Sequence, residues 1–257
     1  MLLAVDIGNS SVVFGVFDPN GRIVFQSRAE ASVGKSADEY AVLLRSLFSF
    51  YGVDHGTVHR CILSSVVPPV THAIACAVEK LTGIRPLEIG PGVKTGLNIK
   101  IDTQAQLGSD LVADAVAALS EFHTPVVIVN MGTATTFTVI DRQGILDGVI
   151  IAPGVRISMD ALAQYGSELP DISVAPPKRL IGKNTQDSVR SGVLYGHAAM
   201  LDGMIARIAD ELKEQKLTAI ATGGLAQTVL PYCKTEFAYR RDLTLQGLYL
   251  IAEKNKR

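Results

Sequence analysis

Leu2-Leu3-Ala4-Val5-Asp6-Ile7-Gly8-Asn9-Ser10-Ser11 reads as a short apolar strand that runs into a polar glycine turn. A second apolar run, Val12 to Phe17, follows. Asp18-Pro19-Asn20-Gly21 then turns the chain into a third strand, Arg22-Ile23-Val24-Phe25. The same order returns near the middle. Val126-Val127-Ile128-Val129 leads into Asn130-Met131-Gly132-Thr133-Ala134-Thr135-Thr136, then Phe137 to Ile140, then Asp141-Arg142-Gln143-Gly144. Asp6 aligns with Asn130, Gly8 with Gly132, Asn9 with Thr133 and, after a one-residue gap, Gly21 with Gly144. Two unrelated hairpins would share some of these features, but duplication is the better reading. It predicts two similar α/β halves, residues 1–120 and 121–257, facing each other over a cleft.

Helical and strand signals fill in both halves. Tyr40, Leu43, Leu44, Leu47, Phe48 and Tyr51 recur at helical spacing, and Cys61-Ile62-Leu63 reads as a strand ending at Ser64-Ser65. Pro68-Pro69 opens a helix that runs towards Gly83. Gly90 to Gly96 is a loop. Pro153-Gly154 precedes a helix over about 156–165, and a long helical pattern spans about 186–214 with a break expected at Gly196. Thr218 to Ala221 is a strand entering Thr222-Gly223-Gly224-Leu225, and Leu243, Leu245, Leu248, Leu250 and Ile251 mark the last helix.

Composition narrows the function classes. With 47% hydrophobic residues, a chain of 257 can bury a substantial core. A net charge of −1 gives no basic field, so neither nucleic acid nor an anionic membrane is expected as a partner. The amino terminus meets Asp6 after five residues, and no uncharged run of about 18 apolar residues occurs, so a cytoplasmic location is expected. Cys61, Cys76 and Cys233 lack metal-ligand or C-x-x-C spacing and read as reduced thiols. The five histidines form no ligand pattern.

A phosphate site must therefore be built locally. Glycine turns let backbone N–H groups approach a triphosphate and permit positive φ. Asn9, Ser10 and Ser11 in one copy, and Thr133, Thr135 and Thr136 in the other, add neutral donors, with Gly223-Gly224 as a third glycine strand-end. Asp6 is placed to hold Mg²⁺, directly or through water. Either loop alone is also an ordinary β-turn; the pair is what carries the reading. Gly182-Lys183-Asn184-Thr185 lacks the upstream glycine of a P-loop, and Gly90-Pro91-Gly92 does not complete G-x-G-x-x-G. Asp110, at the start of an alanine-rich helix, is either a cap or the base that takes a proton from an attacking hydroxyl.

Taken in order, these motifs resemble the type III pantothenate kinases. The matching segments are Asp6-x-Gly8-Asn9-Ser10, Ser64-Ser65-Val66-Val67-Pro68, Pro91 to Leu97, Gly108-x-Asp110, Gly132 to Thr136, Pro153-Gly154, Ile181 to Thr185 and Thr222 to Leu225. The resemblance implies a duplicated actin-like (ribonuclease H-like) fold, each half a mixed β-sheet with flanking helices, with a nucleotide cleft between the halves. It implies a cytoplasmic homodimer that phosphorylates pantothenate with ATP, Mg²⁺ and a monovalent cation, K⁺ or NH₄⁺, at the first step of coenzyme A synthesis. By the same resemblance residues 6–13 and Thr133 bind ATP. Gly108, Ser109, Asp110, Leu111 and Thr185 meet pantothenate, with Asp110 as proton acceptor, and Asn130 stands at the monovalent-cation position.

The chain departs from the family pattern at five positions. Leu111 replaces an arginine that would pair with substrate, at a cost of about 1.5–3 kcal/mol per lost charge-assisted bond. Asp114 replaces an asparagine, Ile101 an aromatic, Asn130 an aspartate and Thr138 another aspartate. Lys178, Arg179 and Arg190 are nearby basic residues that could replace the arginine. Two alternatives stand beside the active kinase: a weak or silent nucleotide-binding or regulatory relative, and a kinase for another small hydroxylated substrate.

Overall fold

Both copies of the repeated segment fold as antiparallel meanders, and the match extends to single hydrogen bonds. The computed structural model describes residues 1–103, 107–166 and 172–256. In chain order the first strands are β1 (Leu2–Ile7), β2 (Ser11–Phe17), β3 (Ile23–Glu30), β4 (Arg60–Ser65), β5 (Leu87–Glu88) and β6 (Asn98–Ile99). They are followed by β7 (Val126–Met131), β8 (Ala134–Ile140), β9 (Ile145–Pro153), β10 (Thr218–Thr222) and β11 (Ala238–Tyr239). The helices are α1 (Ala37–Phe50), α2 (Pro68–Thr82), α3 (Ser109–Glu121), α4 (Val155–Tyr165), α5 (Thr185–Leu212), α6 (Ala226–Val229) and α7 (Leu243–Lys254).

In the first copy β1 pairs antiparallel with β2 and β2 with β3, while β1 runs parallel to β4 with Asp6 opposite Ser64. In the second, β7 pairs antiparallel with β8 and β8 with β9, and β7 runs parallel to β10 with Asn130 opposite Thr222. The hairpin turns are built alike. Asp18 Oδ1 accepts from the N–H groups of Asn20 and Arg22 at 2.8 and 2.9 Å, and Asp141 Oδ1 accepts from Gln143 and Ile145, both at 2.9 Å. Gly21 and Gly144 close these turns with φ of 80° and 78°. The register slips in both copies as well, at Val16/Phe17 and at Val139/Ile140. The gap between the copies lies in the glycine turn: residues 8–10 join β1 to β2, but only 132 and 133 join β7 to β8.

The chain forms two compact units. One comprises Met1–Leu97, Asp102–Ala117 and Asp242–Arg257; the other comprises Asn98–Ile101 and Ala118–Arg241. The division expected at 120/121 left the last helix with the second half, whereas α7 packs on β1 and β4 of the first unit. Its apolar side finds a prepared surface there. The Leu245 side chain fills the space that Gly15 leaves open, and Tyr249 stacks on Phe17 with ring centroids 5.0 Å apart.

In the first unit the sheet order is β3-β2-β1-β4-β5. Alternation along the strands sends Leu3, Val5, Ile7, Val12, Phe14 and Val16 into one core with α1 and α2. α1 starts at a capping box, in which the Ser36 N–H donates to Glu39 Oε2 at 2.8 Å while Ser36 Oγ accepts from the Glu39 N–H. In the second unit the order is β11-β10-β7-β8-β9-β6, with Val127, Val129, Met131 and Phe137 packed against α4 and α5. α5 runs unbroken for 28 residues through Gly196, contrary to the expected break. A single interior glycine costs a helix about 1 kcal/mol, and burial of Val193, Leu194, Ala198 and Leu201 outweighs it.

Candidate active site

Asp6 sits near the carboxyl end of β1, beside its parallel neighbour β4, the end of an open α/β sheet where ligands bind. Burial, and then the charge of Asp110, push its carboxyl up to about 7 against the opposing effects of the Ser64 hydroxyl and Arg28. Asp110 lies in the first turn of α3. Burial raises its carboxyl too, opposed by the N–H groups of Leu111 and of Asp110 itself. The fold of the first unit thus brings together the two carboxylates that the sequence singled out.

Ser109 fixes that arrangement. Its hydroxyl oxygen accepts from the Ser65 N–H at 2.8 Å and lies 3.0 Å from both Ser64 Oγ and the Ser65 carbonyl. The start of α3 is therefore stapled to the end of β4, with Asp110 one residue beyond the staple. Sequence reasoning assigned Ser109 to substrate, but its buried hydroxyl is committed to the scaffold. Leu111 is 7% exposed and packs inward, so it offers substrate no polar group. Asp114 is fully buried and accepts a 2.6 Å bond from Thr244 Oγ1 of α7. Gly108, partly buried, directly precedes this turn.

The first glycine turn is closed by the Gly8 N–H bonding the Ser11 carbonyl at 3.0 Å, with Asn9 and Ser10 exposed. The second is closed by Gly132 N–H to the Ala134 carbonyl at 3.1 Å. Neither Gly8 nor Gly132 has positive φ; of the glycines in the three strand-end turns only Gly223 does, at 96°. Of the two reasons expected for glycine at 8 and 132, positive φ is absent and open space is found. A Cβ at either would meet its nearest atoms at 3.4 Å or more, so the absent side chain leaves room for a ligand.

Gly154 and Gly223 serve the second turn by close approach. A Cβ on Gly154 would lie 2.8 Å from the Gly132 carbonyl oxygen and closer still to that of Thr133. A Cβ on Gly223 would lie 2.6 Å from the Met131 backbone, and the Leu225 N–H bonds the Met131 carbonyl at 3.3 Å. Gly223 therefore braces the foot of the turn, while Gly224 is exposed. The Thr135 and Thr136 hydroxyls are buried with no hydrogen-bond partner among the described residues. Such orphaned groups cost about 1–3 kcal/mol each unless something supplies a partner. His197 spans two carbonyls, Val193 at 2.9 Å and Pro153 at 3.1 Å, and so ties α5 to the residue before Gly154.

Thr185 begins α5 and lines a cavity of about 890 Å³ within the second unit. Lys183, Ser158, Ser188 and His197 share its wall. Asn184 caps the helix, accepting from the Asp187 N–H at 2.8 Å and donating to Asp187 Oδ2 at 2.9 Å. Arg190, one proposed stand-in for the missing arginine, is already bonded to the carbonyl and hydroxyl of Ser173 at 3.1 and 3.0 Å.

Comparison with known proteins decides the lineage. The profile of the type III pantothenate kinases matches residues 2–207. The chain belongs to the type III pantothenate kinase family. It is 41% identical over 256 residues to a type III pantothenate kinase of Shouchella clausii, and 40% identical over 257 residues to one of Exiguobacterium, in each case across 100% of both chains. Among solved structures, it resembles a ROK family glucokinase from Streptomyces griseus in complex with glucose and AMPPNP. That match has a TM-score of 0.54 at 13% identity, over 98% of each chain, and shows the fold alone. Two mixed sheets with flanking helices, in a duplicated arrangement, are an actin-like architecture.

Proposed function

We propose that this member of the type III pantothenate kinase family transfers the γ-phosphoryl group of ATP to the hydroxyl of pantothenate. The product is 4′-phosphopantothenate, the first intermediate of coenzyme A synthesis. The observation that carries the reading is the Asp6–Asp110 pair, two enclosed carboxylates of raised basicity in the first unit. Asp110 accepts the proton of the attacking hydroxyl; a base of raised pKa is better matched to this task than an ordinary carboxylate. In each unit the open glycine turn, 8–11 in the first and 132–133 in the second, leaves room for phosphate oxygens, and in the second the Thr133 and Thr135 hydroxyls are donors.

Asp6 fits Mg²⁺: its carboxylate faces a like charge that a divalent cation would offset. When bound, Mg²⁺ neutralises charge on the β- and γ-phosphate oxygens. At Asn130 only a neutral amide oxygen is available, so the residues do not fit a charge-compensated monovalent-cation site. A cytoplasmic homodimer completes the reading. It is supported by the exposed apolar residues Ile151, Tyr165, Leu180 and Ile181 and by three free cysteines.

ADP release with MgATP, with and without pantothenate, in K⁺ and in Na⁺, tests the proposal. Pantothenate-dependent turnover is the expected result, and none at saturating ATP and pantothenate would overturn it. Gly154→Ala tests the phosphate turn separately. Its methyl must displace Gly132 and Thr133, so KM for ATP is expected to rise roughly tenfold or more. The accompanying loss of stability should be about 1–3 kcal/mol by thermal melt.

A further inference from the structure

We propose that Arg28 binds the phosphate chain of the nucleotide beside Asp6, as the cation of the first unit's glycine-turn site. The inference rests on the nucleotide half of the kinase reading and adds a residue to it. The side chains that the turn itself offers to a phosphate, Asn9, Ser10 and Ser11, are all neutral. A triphosphate carries several negative charges, and a transferring phosphoryl group is ordinarily clamped by arginine or lysine as well as by a metal ion.

Strand register puts Arg28 in that place. Asp6 pairs with Val13 across β1 and β2, and Val13 pairs with Arg28 across β2 and β3. Residues paired across neighbouring strands share a face of the sheet, so Asp6, Val13 and Arg28 form one row. Their face is the one on which α7 lies, since Leu245 fills the space over Gly15 in the next row. The end of β3 is tied to the glycine turn itself, where the Ala31 N–H bonds the Ser10 carbonyl at 3.2 Å. From α1, the Tyr40 hydroxyl donates to the Ser32 carbonyl and accepts from the Ser32 N–H, both at 3.1 Å. The strand that carries Arg28 is thus anchored to the turn that leaves room for phosphate oxygens.

The charge of Arg28 is available there. β3 is an edge strand, and Arg28 is exposed on it. It forms no ion pair among the described residues, whereas Arg60 and Lys80 of the same unit are bonded to Glu253 and Asp38. Glu30 shares the face, opposite Ser11, and does not pair with it either. Two strand spacings, about 10 Å, separate the backbones of Asp6 and Arg28. The guanidinium is near enough for its charge to bear on the Asp6 carboxyl, yet the two form no ion pair. A space with a carboxylate on one side and a guanidinium on the other suits a metal-bound phosphate. Asp6 faces the metal and Arg28 faces the oxygens, two of which its fork can take. A charge that served only to discourage strand pairing at the edge would need no row with Asp6.

The test titrates the whole chain with MgATP and with adenosine, which lacks the phosphates. Arg28→Met is expected to raise the Kd for MgATP roughly 10- to 100-fold. Adenosine should bind within about twofold of its affinity for the unsubstituted protein, and Arg28→Lys, which keeps the charge, should recover part of the loss. Equal weakening of both ligands would show a merely structural role. Unchanged MgATP binding with a raised KM for pantothenate would assign the cation to the other substrate, and no change in either would leave it without a ligand; each of these overturns the proposal. Absence of pantothenate turnover in an unsubstituted protein that binds MgATP through Arg28 would overturn the kinase reading alone. Failure of the unsubstituted protein to bind MgATP would overturn both.

Discussion

Asp110→Asn is expected to lower kcat by roughly 10²–10⁴-fold while ATP binds as tightly as before or more tightly. The substitution keeps the shape of the side chain and the staple at Ser109, so α3 should start where it does now. What it removes is the ability to accept a proton. It also removes a negative charge that acts on Asp6. Binding of a polyanionic nucleotide should therefore not suffer. Single-turnover phosphorylation and nucleotide titration separate the two effects. Because burial lifts the Asp110 carboxyl above its ordinary range, activity of the unsubstituted enzyme should fall as pH drops through that raised value. Retention of activity within about threefold in the asparagine variant would place the base elsewhere.

Asp6→Asn should separate stability from function. Its carboxyl titrates near 7 in the folded, metal-free protein, against about 4 in an unfolded chain. Between those values the folded state holds more protons than the unfolded state, so stability falls as pH rises. The cost is absent below about pH 4 and complete above about pH 7. Asp110 contributes in the same direction. Removing the charge is expected to return about 2–4 kcal/mol at pH 8 and almost nothing at pH 4. Activity should drop roughly 100-fold or more, since the carboxylate that would hold Mg²⁺ is gone. Thermal melts at the two pH values, with and without MgATP, check the prediction. Wild type should gain stability from MgATP where the variant gains little. A variant less stable than wild type at pH 8 would contradict it.

The sequence made the duplication legible because strand alternation and glycine turns are local signals. Asp6, Gly8, Asn130 and Gly132 could be aligned without coordinates. The single gap could not be placed that way, since either loop or hairpin could absorb one residue; strand register assigns it to the glycine turn. The partner of α7 was hidden for a different reason. An apolar helix face does not say which sheet will cover it, and Gly15 and Phe17 lie more than 200 residues before the helix they meet. The role of Ser109 depends on Ser64 and Ser65, 44 or 45 residues away. Lys183 was set aside because its surroundings fail as a P-loop. Its place on a cavity wall is a property of α4 and α5 together, which no local motif encodes.

The return of residues 242–257 to the first unit also sets an order of assembly during synthesis. The second unit draws almost wholly on one continuous stretch, Ala118–Arg241, and has its strands and its long helix in hand as soon as that stretch leaves the ribosome. The first unit, although begun at Met1, must wait with one face of its sheet uncovered until α7 arrives. The half made first is therefore finished last. The carboxylate pair at Asp6 and Asp110 then acquires its final surroundings only when Thr244 reaches Asp114 on α3.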